Sequence, residues 1–184
     1  MTLGGLIVFV FGAPTVITAT MGGSLNDFIV MQIINVGGFI VAANLTARIA
    51  ERFGTERIIF LGTALAAASG LGLLVYGLVG GTNTVMLPIL FTPMAVGLGL
   101  RGPIGFYRGI VASGDNNARG SALIVFFIFL VTTIGTVIVA PFITQGLAAL
   151  SLVVSGILIV AVLLLLLLPR MKELRPTYDA KGLG

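Results

Sequence analysis

Long stretches without a formal charge alternate with short polar breaks along this chain, and the length of each stretch is informative. Met1 to Thr20, Phe28 to Ala47, Ile58 to Leu100 and Gly120 to Pro169 contain no Asp, Glu, Lys or Arg. A bilayer's hydrocarbon core, about 30 Å thick, is crossed by roughly 20 helical residues. Each stretch is long enough to cross once, and the third and fourth long enough to cross about twice. Turn-forming residues divide them at Met21–Asp27, Asn44–Arg57, Gly80–Thr84, Ser113–Arg119 and Thr144–Gly146. Six spans result, at about 2–20, 27–47, 58–79, 85–111, 120–143 and 147–168. The expected fold is therefore an all-α integral membrane bundle over 1–169, followed by a basic tail at 170–184.

The spans differ in their polar content. Pro14 lies inside span one, where its missing N–H frees a backbone carbonyl that lipid cannot satisfy. Ser24 and Asp27 have the spacing of a capping box opening span two. Gln32 and Asn35 are three apart and share a helical face. Span three has no side-chain amide, and its glycines and alanines suit close helix packing. Span four is the most irregular, with Pro88, Pro93, Pro103, five glycines from Gly97 to Gly109, and both Arg101 and Arg108. Span five carries Thr132, Thr133, Thr136 and Pro141. Span six ends in the leucine run Leu163 to Leu168 and is stopped by Pro169.

Charge adds orientation. Lys and Arg fall in the breaks after spans two and four and in the tail (Arg170, Lys172, Arg175, Lys181), and the other breaks have none. Cytoplasmic loops carry the excess of Lys and Arg, so both termini are expected inside, in an integral multi-pass protein. The chain is 58% hydrophobic and only 9% charged, whereas soluble domains are about a quarter charged. The net charge of +4 belongs beside the apolar stretches and forms no stripe for nucleic acid, which is not an expected partner. With no Cys and no His, disulfides, thiol chemistry and the usual zinc and haem ligands drop out. No metal, cofactor or catalytic residue is expected.

Taken as two triplets, each set of spans ends in a nearly pure aliphatic or small-residue helix, spans three and six. The amides, prolines and threonines fall in spans one, two, four and five. Polar helices need a wet or protein-lined neighbour. This distribution fits a 3+3 inverted repeat whose third members are peripheral, as found within each six-span half of major facilitator transporters.

Arg48 followed by Glu51-Arg52-Phe53-Gly54-Thr55-Glu56-Arg57 resembles the D-R-x-G-R-R turn between the second and third helices of a major facilitator half. Thr55 and Glu56 stand where that motif has basic residues. Gly97-Leu-Gly-Leu-Arg101-Gly-Pro103-Ile-Gly-Phe-Tyr107-Arg108, with Ala118-Arg-Gly120-Ser-Ala, is similar to the tenth helix and the start of the eleventh in Bcr/CflA-type bacterial drug:proton antiporters. The resemblance covers the chain as helices seven to twelve. It implies one wall of an alternating-access cavity, with a small amphipathic drug-like substrate and protons as ligands, the lipid bilayer of the bacterial inner membrane as solvent, and an N-terminal six-helix half or a second copy as partner. It also implies that the chain alone is inactive, because multidrug relatives keep their proton-exchanging carboxylates in the N-terminal half. Asp27, at the outer edge of span two, is the acidic residue nearest a span interior here. A six-helix membrane scaffold without a substrate is the alternative.

The candidate cavity and gate residues are Pro14, Gln32, Asn35, Arg101, Tyr107, Arg108, Thr132 and Thr136. Arg48, Glu51, Arg52, Gly54 and Arg57 form the cytoplasmic turn. A mid-helix Arg costs roughly 2.5–3.5 kcal/mol on insertion scales and is normally kept for a pathway or a partner. Arg101 lies about 24 Å along span four at 1.5 Å per residue, where snorkelling to the interface is the competing role. Arg108 is expected to pair with Asp115 or Glu51. The amides either line a cavity or join helices, and the threonines either face it or bond back to their own helix carbonyls.

Overall fold

The computed structural model describes residues 1–114 and 116–167. Six α-helices follow one another: α1 Thr2–Ala19, α2 Leu25–Phe53, α3 Thr55–Leu78, α4 Met86–Val111, α5 Asn117–Val139 and α6 Leu147–Leu167, with a 3-10 turn at Ala140–Gln145 between the last two. All six spans are long and apolar enough to cross a membrane. Their outward faces agree, since Ile33, Val41, Phe129, Val137 and Leu152 are each at least 60% exposed. So much large apolar surface facing outwards fits hydrocarbon and not water. The tail at 170–184, Pro169 and Asp115 lie outside the described residues.

The helix ends follow from local chemistry. Ser24 caps α2: its hydroxyl accepts from the Asp27 N–H at 3.3 Å, while the Asp27 carboxylate accepts from the Ser24 N–H at 2.7 Å, closing the capping box. Pro141 enters at the start of the 3-10 turn and so ends α5 earlier than the spacing predicts. The stretch Asn44–Arg57, expected as a loop, is instead almost wholly helical. α2 continues through Arg52 and Phe53, and α3 begins at Thr55. The break is one residue, Gly54, at φ +86 with its N–H on the Ala50 carbonyl at 2.8 Å. That backbone region costs a side chain its Cβ clearance, so glycine reverses the chain where other residues would continue the helix.

The bundle is built on small residues. An added Cβ at Gly62 of α3 would lie 2.5 Å from the Gly97 carbonyl oxygen of α4, so these backbones meet directly. At Gly99 the same atom would be 2.7 Å from the Phe39 carbonyl oxygen of α2. Gly12 of α1 lies against Leu150 of α6, Gly4 against Val131 of α5, and Gly70 and Gly77 of α3 against Leu158 and Ala148 of α6. These registers make α1 antiparallel to α6, α3 antiparallel to α4 and α6, and α2 parallel to α4. Accordingly α4 runs along α2 and α3, α3 along α6, and α1 along α5 and α6; α1 with α2, α4 with α5, α2 with α3 and α5 with α6 touch less, and α1 with α4 least. At that last contact Phe9 stacks on Phe91, ring centroids 4.3 Å apart.

The expectation that both third helices are peripheral is not met: α3 is among the most buried helices, and α6, with 33% of its most apolar stretch buried, equals α4 and exceeds α2 and α5. Half of the most apolar stretch of α3 is buried, as in α1, against 17% in α2 and in α5. The reason is side-chain size: Gly62, Thr63, Ala66, Ala67, Ser69 and Gly70 let α3 sink between α4 and α6. Apolarity alone does not separate a lipid-facing helix from one packed through small residues.

Candidate functional site

Three polar groupings punctuate the bundle. The first is at the end that holds the close of α2 and α4 and the start of α3 and α5, here termed the basic end. Arg108, in the last turn of α4, forms an ion pair with Glu56 and donates to the Thr55 hydroxyl at 2.7 Å. This ties the close of α4 to the first turn of α3. Of the two expected partners, Glu51 is exposed and forms no ion pair among the described residues, and Asp115 lies outside them. The pairing with Glu56 comes from the one-residue Gly54 reversal, which brings Thr55 and Glu56 under α4. Arg48, Glu51, Arg52 and Arg57 are all exposed at this end.

The second grouping lies between α2 and α4. Pro103 cannot supply an N–H to the Gly99 carbonyl. The Thr46 hydroxyl of α2, fully buried, shares its one proton between that carbonyl at 3.0 Å and its own Ala42 carbonyl at 2.8 Å. Further along the same interface the oxygens of Gln32, Asn35 and Thr92 are buried without a hydrogen-bond partner. Asn35 is only 4% exposed. Gly38, one turn past Asn35, faces Thr92, where an added Cβ would meet the threonine methyl at 3.0 Å. Asn35 thus lies on the face turned to α4, and neither its oxygen nor that of Gln32 is used by an interhelix bond. Across α3 and α4 the Ser69 hydroxyl donates to the Leu90 carbonyl.

The third grouping is where α1, α4 and α5 converge. Arg101 is half-buried in α4, about 15 Å of helix before its end at 1.5 Å per residue, and its Nη1 donates to the Thr2 hydroxyl of α1 at 2.6 Å. Thr2 itself is 4% exposed. A crevice of about 430 Å³ opens between the end of α4 and the start of α5; Met1, the chain neighbour of Thr2, lies at its edge, while Arg101 and Thr2 themselves do not line it.

The remaining candidates fall apart. Pro14 sits in an unbroken α1, its carbonyl taken by the Thr18 hydroxyl at 2.8 Å. Thr132 bonds back to the Ile128 carbonyl at 2.9 Å, whereas the buried Thr136 hydroxyl has no partner. Tyr107 is 69% exposed on the outer face of α4. Sequence reasoning missed Thr2, Thr46 and Thr92. Pro103 signals a carbonyl in need of a donor, but nothing local points to Thr46, which is 53 positions away from Gly99. No metal-binding cluster of acidic, His or Cys side chains occurs among the described residues. No protein-family model, curated protein or solved structure matches this chain.

Proposed function

We propose that the chain is one six-helix half of a major facilitator-type secondary transporter, forming one wall of a central cavity in an alternating-access cycle. The observation that carries this reading is a regularity in the helix contacts. Exchanging α1 with α4, α2 with α5 and α3 with α6 maps the whole set of substantial helix pairs onto itself. The pair α2 with α4 becomes α5 with α1, both parallel; α3 with α4 becomes α6 with α1, both antiparallel. The pair α3 with α6 maps onto itself, as does α1 with α4, where Phe9 stacks on Phe91. Because each triplet has an odd number of spans, its copy must enter the membrane from the opposite side. Such an exchange is what an inverted 3+3 repeat produces.

In this reading the basic end is cytoplasmic, as the bias of Lys and Arg towards that face favours. Gln32, Asn35, Thr92 and Thr136 then hold buried, unpaired oxygens that a substrate can meet once the helices around them part. The tie from Arg108 to Glu56 and Thr55 keeps α3 and α4 moving as one body. Drug-like amphiphiles exchanged against protons are the ligands favoured by the likeness of Gly97 to Arg108 to drug:proton antiporters.

Deleting the gene in its native cell tests this. Accumulation of an amphipathic dye should rise on deletion, and the difference should vanish when nigericin collapses the proton gradient. The six-helix chain expressed alone should restore little or none of it. Accumulation indifferent to deletion would remove the efflux reading, and full rescue by the lone chain would remove the half-transporter reading.

A further inference from the structure

Among the described residues inside the bundle, Arg101 is a formal charge that no carboxylate meets. Arg108 has Glu56, Asp27 caps its own helix, and the other arginines are exposed at the basic end. Thr2 gives Arg101 one hydroxyl acceptor, and a hydroxyl carries no compensating charge. A guanidinium has five N–H donors in a planar fork suited to two oxygens of one oxyanion, so most of its capacity is open.

The space to use it is present. The Cβ position of Gly105 lies 3.9 Å from Arg101 Nη2, and that of Gly102 meets nothing within 4 Å. The flank of α4 beside the guanidinium is therefore bare. Met1, next to Thr2 in the chain, borders the crevice that Gly109, Ala112, Leu123, Ile124 and Phe127 line with mostly apolar surface. An unmet cation and an apolar slot are thus linked through two successive residues at the start of α1, Thr2 on the guanidinium and Met1 on the slot.

We propose that these form one site for an amphipathic anion, with a carboxylate or phosphate held by Arg101 and Thr2 and an alkyl or aryl body in the slot between α4 and α5. Such a ligand supplies the missing charge and covers the apolar walls together. A neutral amphiphile would leave the guanidinium uncompensated, and a cationic one would be repelled. The site names a substrate class for the proposed transporter and rests on that reading for its place at the cytoplasmic mouth of the cavity.

The test is photolabelling of the whole chain in phosphatidylcholine nanodiscs with a diazirine-bearing lauric acid, mapping the adducts by mass spectrometry. Adducts are expected on Leu123, Ile124 and Phe127, suppressed at least tenfold by excess laurate or dodecyl phosphate and little by dodecanol. Arg101→Gln should cut labelling about tenfold, Thr2→Val severalfold, and Arg101→Lys should keep part of it. Ala112→Trp, which fills the slot and leaves Arg101 in place, should also abolish it. If phosphatidylglycerol added to the discs suppresses the adducts, the anion comes from a lipid headgroup; if it does not, the ligand is a free amphiphile. Equal suppression by dodecanol and laurate overturns the proposal, as does unchanged labelling in an Arg101→Gln protein of native helicity. Should Arg101→Gln fail to fold, the laurate and dodecanol comparison on the unaltered chain still decides. Labelling needs no transport, so a failure here leaves the dye-accumulation result standing, and the reverse also holds.

Discussion

At the scale of single residues, the polar groups of this bundle divide by whether the backbone needs them. Thr46 satisfies a carbonyl that Pro103 has orphaned, and so holds α2 against α4 at the point where Gly99 lets them touch. Thr63, equally buried, returns its hydroxyl to the Ile59 carbonyl of its own helix at 2.7 Å. The two threonines look alike in sequence and differ in what their removal leaves behind. Losing one partner of a buried hydrogen bond costs about 1–3 kcal/mol, and interhelix bonds in membranes average about 0.6 kcal/mol. Thr46→Val should therefore destabilise the bundle by about 1 kcal/mol, and Thr63→Val by a few tenths at most. Equilibrium unfolding in mixed micelles measures both. Equal losses would mean that the Gly99 carbonyl finds another donor. Gln32, Asn35 and Thr136 belong to the other class: their buried oxygens support nothing in the fold, which is why they stand as candidates for a ligand.

Among the helices themselves, the unit of construction is the glycine that admits a neighbouring backbone. Gly62 and Gly97 set the distance between α3 and α4, and neither backbone can yield without separating the helices. Overpacking a tight contact costs typically 1–3 kcal/mol. Gly62→Ala should thus cost about 2 kcal/mol or more, while Gly156→Ala, whose Cβ would meet nothing within 4 Å, should be neutral or slightly stabilising. Thermal unfolding of the two variants side by side checks this. The existence of the helices was legible in the uncharged stretches, and most of their limits lay within a few residues. The largest departure is Asn44–Phe53, which is helical because charge marks the edge of the hydrocarbon and not the end of a helix. A helix emerging from a membrane stays helical into the interface as long as its backbone bonds close, and here they close up to Gly54.

For the whole molecule, the registers place Arg52 and Arg119 at one end and Asn83 at the other. The sequence has no cysteine, so single-cysteine variants report position without a background. Cysteines at 52 and 119 should be labelled by an impermeant maleimide from the same side, and one at 83 from the opposite side. Arg52 and Arg119 on different sides would break the six-span layout and the inverted repeat with it.

Span number, the all-helical class and the clustering of basic residues could be read from residue order, because hydrocarbon demands internally bonded segments of fixed length and charge cannot enter cheaply. Those are one-dimensional constraints. Which helix sinks into the bundle, that Arg108 meets Glu56, that Thr46 meets Gly99 and that Arg101 meets Thr2 emerged with packing, since each depends on the register of helices far apart in the chain. Hydropathy carries no record of that register. It is fixed where glycine backbones touch, and the candidate anion site exists because those contacts bring the start of α1 beside the middle of α4.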